Sequence, residues 1–148
     1  SAASDVYKRQ LLRLTAELEA GADVAVGSRY SKGVTVVNWP MSRLLMSYCA
    51  SRYVRIVTGM PVCDATAGFV GYKREVLAAI DFDRIEMVGY GFQIEMKYTA
   101  WKMGFRIGEV PIIFADRTEG TSKMSGGIFG EAFFGVLALP FRTIARKK

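Results

Sequence analysis

The 148-residue sequence contains no histidine, so it lacks the side chain that most often serves as a general base or a metal ligand. It has only two cysteines, Cys49 and Cys63, which lie among apolar residues without the spacing of a metal site. We therefore expect buried free thiols in a reducing compartment rather than a disulfide. The sequence also shows no internal repeat and no low-complexity tract.

The net charge is +6 at pH 7, and the sequence pI is about 9.5. Such a basic chain indicates an anionic partner, which is a nucleic acid, a membrane surface or a phosphorylated substrate. The basic residues are scattered and form no nucleic-acid motif, so we expect no nucleic-acid partner. Hydrophobic residues make up 51% of the sequence, which is enough for the core of one domain.

A charged loop, DRTEGTSK at residues 116–123, follows an apolar stretch that predicts a strand pair. Arg117 offers a planar fork to two phosphate oxygens, and Lys123 offers a mobile point charge. Ser122 adds a hydroxyl, and Gly120 adds flexibility. The loop therefore suits phosphate binding, although an ordinary solvated loop has the same composition.

The N-terminal part of the sequence predicts an α/β arrangement. Residues 11–20 have apolar positions at helical spacing, with a stop at Gly21, and residues 23–27 predict a short buried strand. The chain leaves that strand at Arg29. Because ligands of α/β folds lie beyond the carboxyl ends of strands, Arg29 is either a site residue or a plain surface arginine.

Residues 41–58 predict an amphipathic helix that Gly59 and Pro61 end. Either its apolar face packs on the core, or the helix lies in a membrane interface. The apolar face comprises Leu45, Met46, Cys49, Ala50, Tyr53, Ile56 and Val57, and the other face comprises Ser47, Ser51, Arg52 and Arg55.

The motif DATAGF at residues 64–69 precedes a predicted strand at 70–72 and a helix at 74–80. Asp64 is either a site residue or part of a turn that it stabilises by bonding its own backbone. Residues 81–83 match an Asp-x-Asp metal motif superficially. They follow a helix rather than a strand, so we expect no metal site there.

Residues 90–103 predict a helix with two apolar faces, which we expect to be sandwiched between two layers. Glu95 is the carboxylate at its centre and is either solvated or part of a site. Residues 126–145 are apolar nearly all round and are followed by a basic tripeptide at 146–148. A helix of about 20 residues is just long enough to cross a bilayer, but its charges and Pro140 favour an in-plane or juxtamembrane helix.

Together these motifs, with NWPMSR at 38–43 and GSRY at 27–30, resemble the C-terminal half of the polyprenyl-phosphate (dolichol-phosphate) mannosyltransferases, a branch of the family 2 glycosyltransferases. The likeness runs from about residue 21 onward, and it is the order of the motifs that is specific. It implies part of a GT-A nucleotide-diphospho-sugar transferase fold over residues 11–125. Residues 126–148 would be an apolar juxtamembrane helix with a basic end. Residues 1–10 fit no family motif, and we expect a non-native leader there.

The resemblance implies transfer of mannose from GDP-mannose to a polyprenyl monophosphate, with inversion, by a protein peripheral to or anchored on the cytoplasmic face of the membrane. A related transferase that uses UDP-glucose or another nucleotide sugar, and a non-catalytic membrane-associating module, are the alternatives. Both ends of such a displacement are anionic, so it requires positive charge and alignment more than proton transfer.

The resemblance also assigns roles to individual residues. Arg29 and Arg43 would contact the lipid phosphate, Asp64 the sugar or acceptor pocket, and Glu95 the sugar or a neighbouring arginine. Arg117, Ser122 and Lys123 would contact phosphates across a loop that closes about Gly120.

The family's nucleotide-binding half, with its metal motif, would precede Gly21. We therefore expect Mg²⁺ or Mn²⁺ in the whole enzyme, no metal ligands in this chain, and no activity of this chain alone.

Overall fold

The computed structural model describes residues 2–32, 36–37, 40–115, 126–142 and 144–145. The helices are α1 (Ala2–Glu19), α2 (Met41–Thr58), α3 (Arg74–Ala79), α4 (Tyr90–Lys102) and α5 (Gly126–Ala138). The strands are β1 (Val24–Ser28), β2 (Val36–Val37), β3 (Val70–Tyr72), β4 (Ile107–Pro111) and β5 (Phe114–Ala115). Two 3₁₀ turns span Phe82–Arg84 and Leu139–Phe141. The predicted α/β class is confirmed.

The strand β1 is the centre of a three-stranded mixed sheet with the order β3-β1-β4. It pairs antiparallel with β3 and parallel with β4, so Val26 lies opposite both Val70 and Glu109. All five residues of β1 are buried. Because β1 and β4 run in the same direction, their carboxyl ends share one edge of the sheet. The strands β2 and β5 form a separate parallel pair.

Gly27 allows the chain to approach this edge closely. A Cβ at this position would lie 2.7 Å from Cδ1 of Phe69 and 2.8 Å from Cδ1 of Ile112. The backbone oxygen of Phe69 accepts a hydrogen bond of 2.8 Å from the Gly27 N–H. A larger residue would therefore displace the segments that flank the exit from β1.

Alternate residues of β1 face opposite layers, as in any strand. Ala25 packs with Leu14 of α1 on one side. On the other side, Val24 and Val26 pack with residues of α3 and α4. A second core joins α2, α4 and α5 through Val54, Ile94, Tyr98, Val136 and Leu139. The helix α4 thus lies between two packed clusters, which confirms the predicted sandwiched position.

Two predicted helix lengths are wrong. The helix predicted at 11–20 begins at Ala2, so it runs through much of the segment that we expect to be a non-native leader. That expectation about residues 1–10 stays a prediction. The helix predicted over residues 126–145 ends at Ala138, where a 3₁₀ turn containing Pro140 replaces it, because proline cannot donate the next helical hydrogen bond. Within the described ranges, no helix combines the length and the apolar character needed to cross a bilayer.

The bounds predicted for α2 are confirmed, since Gly59 ends the helix in the left-handed conformation with φ of 75°. The predicted apolar face packs on the core only in part, through Tyr53 and Val57. Ser51, Val54 and Thr58 are buried, whereas Leu45, Met46, Cys49 and Ile56 are exposed. The prediction of a core-packed apolar face is therefore wrong for these residues. Both cysteines are free, as predicted, but Cys49 is exposed and Cys63 is only half-buried.

Candidate functional site

The exit from β1 holds a buried ion pair between Arg29 and Asp64. The fully buried Asp64 carboxylate accepts hydrogen bonds from Nε of Arg29 at 2.7 Å and from Nη2 at 2.6 Å. It also accepts the Arg29 backbone N–H at 2.9 Å. The Thr66 hydroxyl accepts a further hydrogen bond from Nη2 at 3.0 Å. Arg29 and Asp64, which the sequence analysis identified separately as candidate site residues, are thus in contact. The Asp64 carboxylate binds Arg29 instead of forming the alternative local turn.

Asp64 keeps the Arg29 guanidinium charged, although Arg29 is only 8% exposed. Burial alone would lower the pKa of Arg29, but the hydrogen bond and the negative charge of Asp64 outweigh it, so that pKa is raised. The fork geometry fixes the plane of the guanidinium as well as its position. The carboxyl end of β1 therefore carries an oriented guanidinium whose charge Asp64 balances.

Lys97 of α4 was not identified from the sequence. It is fully buried, and its Nζ donates to the carbonyl oxygens of Ala65 at 3.0 Å, Ala67 at 2.6 Å and Gln93 at 3.3 Å. Burial lowers the pKa of Lys97 to about 7, and the charge of Asp64 opposes this shift. The sequence held one indication that Lys97 is buried: α4 is apolar on two faces, so a charged residue at its centre is expected to be covered on both sides.

Glu109 of β4 extends the polar cluster at the same edge of the sheet. Its Oε1 accepts the backbone N–H of Cys63. Burial raises the pKa of Glu109, and hydrogen bonds from the Cys63 N–H and the Ser28 hydroxyl oppose the increase. Its second oxygen, Oε2, has no hydrogen-bond partner among the described residues.

Glu95 lies in a second polar cluster and is only 2% exposed, so it is not the solvated carboxylate of the alternative interpretation. Its Oε1 accepts the backbone N–H groups of Glu86 at 3.2 Å and Met87 at 3.0 Å. Its Oε2 accepts Nη2 of Arg142 at 3.2 Å. Glu95 therefore orients a neighbouring arginine, Arg142, beside a cleft of about 290 Å³ that Glu131 also lines.

The other predicted site residues are divided between described and undescribed parts of the chain. Arg43 lies in the first turn of α2, and its positive charge acts on the Tyr30 hydroxyl, which donates to Ser47 at 2.7 Å. The remaining predicted site residues fall outside the described residues; they are Arg117, Gly120, Ser122 and Lys123.

Apolar side chains are exposed on α2, on α5 and on the 3₁₀ turn after α5. The two helices contact each other, and the rings of Tyr53 and Phe133 stack at 4.8 Å. Phe141 is 90% exposed. We call this set the exposed apolar residues of α2 and α5; it contains Met41, Leu45, Met46, Ile56, Phe133, Phe134, Leu137 and Phe141.

Sequence comparison with known proteins shows what the chain is similar to. No protein-family model matches the sequence. The chain is 47% identical over 127 residues to the polyprenol monophosphomannose synthase of Mycolicibacterium smegmatis, and this match covers 86% of the chain and 48% of the relative. It is 49% identical over 127 residues to the undecaprenyl-phosphate mannosyltransferase of Micrococcus luteus, a match that covers 86% of the chain and 52% of the relative.

Both relatives are named for attaching mannose to a polyprenol or its phosphate. The chain is homologous to the polyprenyl-phosphate mannosyltransferases, which confirms the resemblance predicted from the motifs. It spans about half the length of each of these two relatives.

Proposed function

We propose that the complete protein transfers mannose from GDP-mannose to a polyprenyl monophosphate, with inversion at the anomeric carbon, in a GT-A fold. The observation that supports this most directly is the similarity over 127 residues to two relatives with mannosyl-transfer names. The permanently charged Arg29 at the carboxyl end of β1 agrees with a substrate that carries phosphate.

In the proposed reaction, an oxygen of the lipid phosphate attacks the anomeric carbon, and the bond from that carbon to the nucleoside diphosphate breaks. No proton has to leave the nucleophile, because the phosphate is already ionised. Arg29 and Arg43 would align the lipid phosphate, and Asp64 would fix the plane of the Arg29 guanidinium. Arg117, Ser122 and Lys123, across a loop that closes about Gly120, would stabilise the charge on the phosphates.

The exposed apolar residues of α2 and α5 support a peripheral position on the membrane, and we propose that this is its cytoplasmic face. Their side chains would enter the boundary between headgroups and acyl chains, where a polyprenyl phosphate keeps its phosphate. Lipid acceptor and protein would then meet in one plane, which favours encounter.

A divalent metal belongs to the proposal for the complete protein only. The described residues bring together no group of three His, Cys, Asp or Glu side chains that would hold a metal ion, so they do not fit that role. We propose that Mg²⁺ or Mn²⁺ is held by residues outside this chain, and that the 148-residue chain alone is inactive.

The test uses the complete protein in vesicles that contain polyprenyl phosphate, with radiolabelled GDP-mannose as the donor. We expect label to enter the lipid extract with the wild type and to be lost in Arg117→Ala, while vesicle binding is retained. Arg106→Ala is the control, because Arg106 is an exposed arginine just before β4, at the opposite end of that strand from Arg29. Label that enters from UDP-glucose instead of GDP-mannose would change the donor assignment.

A non-catalytic membrane-associating module is the second candidate, and the exposed apolar residues of α2 and α5 favour it. It predicts vesicle binding by the complete protein without any sugar transfer from either donor. It also predicts that Arg117→Ala changes neither property.

Sugar transfer by the 148-residue chain alone would contradict our proposal that this chain is inactive.

A further inference from the structure

Lys97 and Arg29 hold the same short segment from two sides. The Lys97 ammonium donates to the carbonyl oxygens of Ala65 and Ala67. Thr66 lies between Ala65 and Ala67 in the sequence, and Asp64 precedes them. The side chains of Thr66 and Asp64 bind the Arg29 guanidinium. Along residues 64–67, the backbone therefore faces Lys97 while the side chains of Asp64 and Thr66 face Arg29.

We propose that Lys97 is a positioning residue of the transferase site: its ammonium fixes the backbone of residues 65–67, so that Asp64 and Thr66 hold Arg29 in one orientation. The consequence for catalysis rests on the proposed function. The structural consequence for Arg29 does not.

The chemistry of the contact supports an ammonium in this place. Three carbonyl oxygens surround Nζ, and the three N–H groups of an ammonium match them one to one, whereas a neutral amine has only two. An apolar side chain of similar length would fill the same volume without the cost of burying a charge. However, an apolar side chain would not donate hydrogen bonds to the carbonyl oxygens of Ala65 and Ala67, in the segment that holds Arg29.

The first experiment measures Arg29 directly in the 148-residue chain by NMR. The Nε–H signal of Arg29, assigned by its loss in Arg29→Lys, reports the hydrogen bond to Asp64. In Lys97→Met we expect this signal to move and its hydrogen to exchange at least tenfold faster. The matched control is Ile94→Ala, a buried position of the same helix that packs in the cluster with Val54 and Val136 and is expected to leave the signal unchanged.

The second experiment measures kinetics in the complete protein. In Lys97→Met we expect kcat/KM for polyprenyl phosphate to fall about 10- to 100-fold, because displacing a group that aligns a substrate is costly. The KM for GDP-mannose should not change. Ile94→Ala, compared at a similar loss of Tm, should leave both KM values unchanged.

The two experiments separate the two proposals. If the wild-type complete protein transfers no mannose, the proposed function fails, and the NMR result still decides the role of Lys97. If Lys97→Met does not fold, Lys97→Leu, which likewise supplies no N–H donor, is measured in its place. In the unsubstituted chain below pH 7, where the Lys97 amine is protonated, contacts between its ammonium protons and residues 65–67 are expected in the NMR spectra. An unchanged Arg29 signal in the Lys97 variant, or absence of those contacts, overturns the inference.

Discussion

Arg29 and Asp64 are 35 positions apart in the sequence, yet their side chains form a forked, buried ion pair with hydrogen bonds of 2.6 and 2.7 Å. The pair joins the end of β1 to the segment after α2. Each partner removes the cost of burying the other, so neither is expected to tolerate loss of its partner.

Asp64→Asn should destabilise the fold strongly. The amide keeps the shape of the carboxylate but leaves the Arg29 charge buried without its counter-ion. We expect the free energy of unfolding to fall by about 3–5 kcal/mol in urea titrations at pH 7. Asp83→Asn, at an exposed position, should change it by less than about 0.5 kcal/mol. Equal effects of the two substitutions would contradict the importance of the pair.

Lys97 should make stability rise with pH above neutrality. Its pKa is about 7 in the folded chain and is expected near its ordinary value of 10.5 in the unfolded chain. Between these values the unfolded chain binds the additional proton, so the free energy of unfolding increases with pH. Asp64 and Glu109 oppose the lowering of this pKa, and Arg29 adds to it.

The measurement for Lys97 is the difference between wild type and Lys97→Met in urea titrations from pH 6 to pH 10. The difference cancels titrations that both proteins share. We expect it to be flat below about pH 7 and to shift in favour of the wild type above it. A difference that is constant across the range would show that the folded amine titrates at its ordinary pKa.

Gly27→Ala should destabilise the sheet by about 1–3 kcal/mol, because the new methyl group overlaps Phe69 and Ile112. Gly71 in β3 offers a matched control, since a Cβ there would meet its nearest atom, Cδ1 of Leu18, at an ordinary 3.4 Å. Gly71→Ala should be neutral or slightly stabilising, by up to about 1 kcal/mol. Thermal unfolding of both variants checks the prediction, and a similar Tm for the two would refute it.

Serine substitutions at Leu45 and Phe134 should weaken binding to anionic lipid vesicles. Full burial of such side chains contributes about 1.5–3 kcal/mol each, so each substitution should lower the partition coefficient severalfold. Leu12→Ser is the control, because Leu12 is also 69% exposed but lies on α1. Vesicle flotation gives the readout, and equal binding of all variants would argue against a membrane role for α2 and α5.

Local signals predicted the limits of several elements. Gly59 marks the end of α2, and the strand predicted at 70–72 is β3, because caps and short strands depend on neighbouring residues. The start of α1 was predicted wrongly because residues 1–10 match no family motif and were excluded from the helix, although Tyr7 continues the apolar spacing of Leu11 and Leu14.

Long-range contacts were beyond such reasoning. The sequence nominated Arg29 and Asp64 but contains no signal that pairs them. For the apolar face of α2, the sequence left two interpretations, packing on the core or contact with a membrane. An apolar stripe indicates that something covers the helix but does not identify the covering surface. Lys97 could be predicted to be buried, whereas its three carbonyl partners depend on where the loop at 64–67 folds.

The Glu95 carboxylate has a mechanical consequence. It binds the backbone just before α4 through Glu86 and Met87, and it binds Arg142 just after the turn that follows α5. The Glu95 carboxylate on α4 therefore ties together the segment that precedes this helix and the turn that follows α5. A force that pulls on the turn after α5 would therefore be transmitted to α4 through Arg142.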